Sequence, residues 1–235
     1  MEPLSFKGRR GSGIAGERCA YSDKSLNPRW DWQKYTYGYR VWGRHLYNPE
    51  TDPDVWRRAM RRDFGPVGAD FKNALANSSR ILPIITTAHA PSAGNNTYWP
   101  EIYLNHSLID AARPGPYTDS PIPRVFGTVS PLDPQLFYSM DDFADDLLKG
   151  ERSGKYTPIE VSHWLENYAA AAAESLARGE HRATRKGRPE YRRLTIDIAV
   201  AIGLGRFFAA KFRAGVLYRI LGAHFDQHSI RAVCL

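Results

Sequence analysis

The sequence predicts a mainly α fold of several helices, and three observations carry that expectation. Apolar and aromatic residues recur at spacings of three and four in one stretch after another, the stripe of an amphipathic helix. Residues that start and stop helices bracket those stretches. The longest stretch, from about Tyr191 to Gly222, is apolar nearly all round, as expected of a central helix packed on several sides.

The elements follow in order. From Asp31, "DWQKYTYGYRVWGRHLY" sets Trp32, Tyr35, Tyr39, Trp42 and Leu46 on one helical face, which reads as core rather than as a ligand platform. In "NPETDPDVW", Asp52 is a helix cap and Pro53 suits the first helical position, where its missing N–H would be unpaired anyway. Val55, Trp56, Ala59, Met60 and Phe64 continue the apolar face to a stop at Gly65. A third helix is expected from about Val67 to Thr87, kinked or ended early by Pro83. "HAPSAGNNTYWPEIY" then reads as a loop.

Residues 114–134 hold six prolines and form the expected boundary between a first helical subdomain, 31–113, and a second, 135–235. Ile122, Val125, Phe126 and Val129 within that stretch call for burial. Beyond it, "QLFYSMDDFADDLL" and "YTPIEVSHWLENYAAAAAESLARGE" read as helices, the second opened by Thr157, Pro158 and Glu160 and stopped at Gly179. In the last long helix, Gly203, Gly205 and Gly215 allow close approach or a bend. Asp226 starts a further helical pattern, and both ends of the chain read as cuts through a larger protein.

Composition narrows the function classes. With 43% hydrophobic residues the 235-residue chain is globular, which excludes disorder throughout. Its 12% aromatic content suits carbohydrate surfaces, although most rings are expected to fill the core. The net charge of +7 gathers in "RRAMRR" (57–62) and "HRATRKGRPEYRR" (181–193). Both runs read as solvated faces or loops without a nucleic-acid-binding signature, so no nucleic acid is expected as partner. No run of eighteen apolar residues predicts a membrane span and no signal segment opens the chain, so localisation stays open.

Neither cofactor nor metal is expected. Gly8, Gly11 and Gly13 match neither the dinucleotide nor the P-loop spacing, and Ser12 lacks the context of a nucleophile elbow. Cys19 and Cys234 lie far apart without metal-type spacing, and His224 and His228 have no carboxylate between them to complete a metalloprotease site.

One stretch resembles a known family. "YGYRVWGRHLYNPETDPDVWRRAMRRDFG" is similar to the segment after the barrel in α-glucuronidase-like glycoside hydrolases, with Trp42, Gly43, Arg44, Leu46, Tyr47, Asn48, Pro49, Trp56, Phe64 and Gly65 carrying the match. "SSRILPIITTAHAPSAGNNTYWPEIY" resembles the segment that follows, a helix leading into a loop near the sugar. Residues 35–105 carry the specific part of the likeness, and the rest resembles the family's helical C-terminal region in pattern only.

The resemblance implies that residues 1–30 are an irregular loop segment left from a (β/α)8 barrel, whose active site lies at the strand ends. Glu2 would then be the catalytic carboxylate, while Lys7, Arg9 and Arg10 would hold a uronate carboxylate. His89, Asn95, Asn96, Tyr98 and Trp99, in the aromatic loop 88–103, would bind sugar by stacking and hydroxyl hydrogen bonds. An ordinary packed loop is the other reading of the same residues. Glu101 reads as a helix-starting residue.

The expected function is therefore the helical region of a carbohydrate-active glycoside hydrolase, which braces the barrel, lends part of the sugar site and is inactive alone. Carbohydrate is its expected partner, and apolar faces left uncovered predict self-association. The alternative is an independent basic helical module that binds a polyanion or a partner protein.

Overall fold

The computed structural model describes residues 21–28, 31–89, 107–109 and 125–233. Seven α-helices lie among them: α1 (Thr36–Tyr47), α2 (Asp54–Phe64), α3 (Gly68–Ser78), α4 (Ile81–Ala88), α5 (Met140–Lys149), α6 (Pro158–Arg182) and α7 (Pro189–Val233). The described residues form no strand, only an isolated bridge between Phe137 and Tyr156. The mainly α expectation holds.

The chain divides into two compact units, residues 1–76 with 172–200 and residues 77–171 with 201–235. Each unit takes residues from both sides of the proline-rich stretch, most of which falls outside the described residues.

In the first unit, Asp52 caps α2 as its sequence suggests. Its carboxylate accepts the Asp54 N–H at 2.8 Å and its carbonyl accepts the Val55 N–H at 3.1 Å. Phe71, fully buried, meets the edges of Phe64 and Tyr191 at centroid distances of 5.4 and 5.3 Å, the edge-to-face arrangement that ring quadrupoles favour. Leu26, Met60, Val67 and Ala74 complete this core. Gly179 does not stop α6, which runs on to Arg182. A Cβ there would lie 3.0 Å from Phe71 and 3.3 Å from the Asp70 side chain, so this glycine admits a close neighbour rather than ending a helix. Arg182 then reaches Asp70 at 2.9 Å.

α1 departs from expectation. None of its residues is buried: Trp42 is 60% exposed and Tyr47 89%, with Tyr39 and Leu46 also exposed. Periodicity specifies a face but not what covers it, and within the described residues this aromatic stripe is surface.

The expected third helix is two, one on either side of the boundary between the units. α3 ends at Ser78 and α4 begins at Ile81, so Pro83 sits in the first turn of α4, where its missing N–H costs nothing. A continuous helix would drive the Pro83 ring against the Ser79 carbonyl and lose the bond between them, so the break falls around Ser79 and Arg80. Ile81, Ile85, Phe126, Leu165, Phe208 and Phe212 form the core of the second unit, almost wholly buried.

Thr157 and Glu160 close a reciprocal cap at the start of α6. The Thr157 N–H donates to Glu160 Oε2 at 2.8 Å and the Glu160 N–H donates to Thr157 Oγ1 at 3.1 Å. The helical pattern at Asp226 continues α7 rather than opening a new helix. Gly205 and Gly215 provide close approach: a Cβ would lie 2.9 Å from Ile81 at the first and 2.3 Å from the Met140 sulfur at the second. Gly203 faces open space. α7 buries Phe208, Phe212 and Val216 but leaves Phe207 and Leu217 exposed, so it is not packed on all sides by the described residues.

Candidate functional site

The surface of α1 in the first unit combines rings and guanidinium groups. Tyr39, Arg40, Gly43, Arg44 and Tyr47, spaced as one side of a helix, line a shallow open groove. Gly43 adds no side chain to its floor, and nothing lies within 4 Å of where a Cβ would stand. Trp42, also exposed, is not among the residues that line it.

Neighbouring residues fix the groove's frame. Arg40 donates to Asp63 Oδ2 at 2.7 Å, and Arg62 holds the other carboxylate oxygen at 2.9 Å. Partial burial pushes the Asp63 carboxyl up, but the hydrogen bonds from Arg62 and Arg40 prevail and hold it below the usual carboxylate range. At the end of α1, the His45 ring lies 4.9 Å from the Trp56 ring, and its Nδ1 is 3.1 Å from the Pro49 carbonyl. A carbonyl only accepts, so Nδ1 carries a proton and donates. The Asn48 side chain accepts the Glu50 N–H at 3.0 Å, closing the turn into α2. Arg44 is exposed and has no ion pair among the described residues. Two phenol rings and one guanidinium without an ion pair among the described residues thus stand on a braced helix end. Such a surface can stack on the apolar face of a sugar ring while pairing with a carboxylate.

Of the residues singled out in the sequence, Glu2, Lys7, Arg9, Arg10, Asn95, Asn96, Tyr98 and Trp99 lie outside the described residues. His89 lies in the interior of the second unit, 1% exposed. Its Nε2 is 2.7 Å from the Phe126 carbonyl, its ring stacks on Phe126 at 4.1 Å and 20°, and it meets Phe212 edge-on at 6.3 Å. The Lys211 ammonium lies 4.5 Å from the centre of the same Phe126 ring. In this place His89 anchors the turn Phe126–Thr128 to α4.

Sequence reasoning missed the α1 groove because it assigned the aromatic stripe to the core. The signal was present in Gly38 and Gly43, which interrupt the stripe's helix with open positions, and in Arg40 and Arg44 among the rings.

No three His, Cys, Asp or Glu side chains among the described residues are grouped to hold a metal ion, and no helix among them is long and apolar enough to cross a membrane. The chain matches no family model, no curated protein and no solved structure.

Proposed function

We propose that this chain is the helical region of a carbohydrate-active glycoside hydrolase that handles uronate-containing glycans, with α1 supplying a sugar-contacting surface. The observation that carries this reading is the exposed groove that Tyr39, Arg44 and Tyr47 line. It falls within the stretch that resembles α-glucuronidase-like enzymes. Rings give stacking, and Arg44 gives a planar cation matched to a sugar carboxylate. Hydrolysis itself belongs, in this reading, to a barrel carrying Glu2 at a strand end, and the chain by itself turns over no aryl glucuronide.

The test is calorimetric titration of the chain with a uronic-acid oligosaccharide and with a neutral oligosaccharide of equal length. Preferential binding of the acidic sugar is expected, weakened about three- to tenfold by Arg44→Ala and by Tyr47→Ala. Equal affinity for both sugars, or no effect of either substitution, sinks the reading.

One observation favours the alternative, a basic helical module for a polyanion. Residues 1–76 and 172–200 hold 21 Lys and Arg against 13 Asp and Glu, a formal +8, whereas the other unit holds 11 against 12, a formal −1. Arg185, Lys186 and Arg188, in the turn between α6 and α7, are exposed. Under this reading, affinity for a single-stranded oligonucleotide falls steeply with salt and outlasts loss of Tyr47. The uronide titration repeated at two salt concentrations separates the two.

A further inference from the structure

Among the described residues of the second unit, one face of α7 is exposed. Phe207, Leu217 and Leu221 are 52%, 67% and 53% exposed, Gly203 and Ala210 are exposed, and Ala214 is partly so. Positions 203, 207, 210, 214, 217 and 221 alternate steps of four and three, so on a helix they fall within an arc of about 80°. This is the repeat by which one helix lies along another with side chains interdigitated. The opposite side, Phe208, Phe212 and Val216, is already buried in the unit's own core. The seam is therefore additional to this unit's own core.

We propose that this face is the interface between two copies of the chain, paired antiparallel about a two-fold axis that passes between the two α7 helices, level with residues 208 and 209. Self-complementarity is the first argument. In an antiparallel pair with that axis, Phe207 of each copy meets Ala210 of the other and Gly203 meets Ala214, so each large ring faces a small residue in both directions, as an isologous contact requires.

Charge is the second argument. Arg206 stands at the edge of the seam, exposed and without an ion pair among the described residues. One heptad along the same edge, Arg213 is gripped through both guanidinium nitrogens by Glu166, whose side chain stays 44% exposed. The same axis sets Arg206 of one copy beside the Glu166–Arg213 pair of the other, which offers that carboxylate a second guanidinium. The symmetry makes the contact twice.

Area is the third. One seam of six side chains between residues 203 and 221 is smaller than the standard-size interface of about 1,600 Å². Such a size predicts a dimer in the micromolar range rather than an obligate one. The inference is independent of the glycan reading.

Sedimentation velocity and light scattering of the full chain between 1 and 100 µM test it. A reversible dimer is expected. Phe207→Glu and Leu217→Glu each raise its dissociation constant at least tenfold while the far-UV circular dichroism of the dilute protein is unchanged. Arg206→Glu, on an exposed side chain that contributes nothing to the core, weakens it severalfold at low salt and less at high salt. Leu46→Glu on α1 leaves it intact. A monomer at 100 µM overturns the proposal. So does a dimer that survives Phe207→Glu and Leu217→Glu, or one that Leu46→Glu abolishes.

Discussion

The guanidinium of Arg219 occupies the space in which Gly127 would carry a side chain. A Cβ on Gly127 would lie 2.3 Å from Arg219 Nε, the same nitrogen that meets Asp141 Oδ1 at 2.6 Å. Burial pushes the Asp141 carboxyl above its ordinary range, Arg219 opposes that push, and Asp145 and Asp142 add to it. The pair is poised, held by one cation in a slot that only glycine leaves open.

Gly127→Ala is therefore expected to displace Arg219 and leave Asp141 half-buried without its partner, at a cost of about 1–3 kcal/mol. Urea denaturation gives the number. In an Arg219→Ala background the new methyl has room, so adding Gly127→Ala should cost much less there than in the wild type. Additive costs would show that the slot is not what the substitution disturbs.

Two further glycines should respond in opposite directions to the same change. Gly38 of α1 has nothing within 4 Å of its absent Cβ, so Gly38→Ala gains helix propensity alone, about 0.5–1 kcal/mol of stabilisation. Gly179 of α6 would place its methyl 3.0 Å from Phe71, a fully buried ring braced by Phe64 and Tyr191. The ring cannot retreat without loosening the core, so Gly179→Ala is expected to destabilise by about 1–2 kcal/mol despite the better helix former. Thermal unfolding of the two variants beside the wild type decides the signs.

These glycines also show how far the sequence could be read. The helices themselves were legible, because apolar residues at spacings of three and four and residues such as Asp52 and Thr157 act locally. Gly179 was not, since a glycine that ends a helix and a glycine that admits a neighbouring ring look alike until the neighbour is known. The break before Pro83 was legible in kind but not in place: the ring's clash acts four residues upstream, at Ser79. Least legible was coverage. The stripe of Tyr39, Trp42 and Leu46 and the buried face of Phe208 and Phe212 obey the same period, yet one is surface and the other core. For the candidate site the consequence was direct, because the α1 groove arises from faces that periodicity assigns to the interior.

The reciprocal cap at the start of α6 gives a second local test. Thr157 Oγ1 accepts the Glu160 N–H, and Glu160 Oε2 accepts both the N–H and the hydroxyl proton of Thr157. Thr157→Ala removes the first acceptor and exposes an unpaired N–H at the helix start, which should cost about 1 kcal/mol. Thr157→Ser keeps the oxygen and should cost much less. Equal losses in the two variants, measured by denaturant titration, would place the effect in the lost methyl rather than in the cap.

The pH dependence of the groove's frame follows from Asp63. Its folded-state carboxyl lies below the ordinary value because the hydrogen bonds from Arg62 and Arg40 outweigh the opposing effect of burial. A group whose pKa is depressed on folding stabilises the native state above its unfolded value, near 4, and loses that contribution as pH falls through the folded value. Asp63→Asn should accordingly cost about 0.5–1 kcal/mol at pH 7, a modest figure because the side chains remain about one-third exposed. The difference from the wild type should shrink steadily below pH 4 and vanish once Asp63 is protonated. Paired denaturation curves from pH 7 down to pH 2.5 check this. A cost that stays constant across the range would mean that Asp63 matters by shape and not by charge, and that Arg40 is held in the groove wall by something other than this carboxylate.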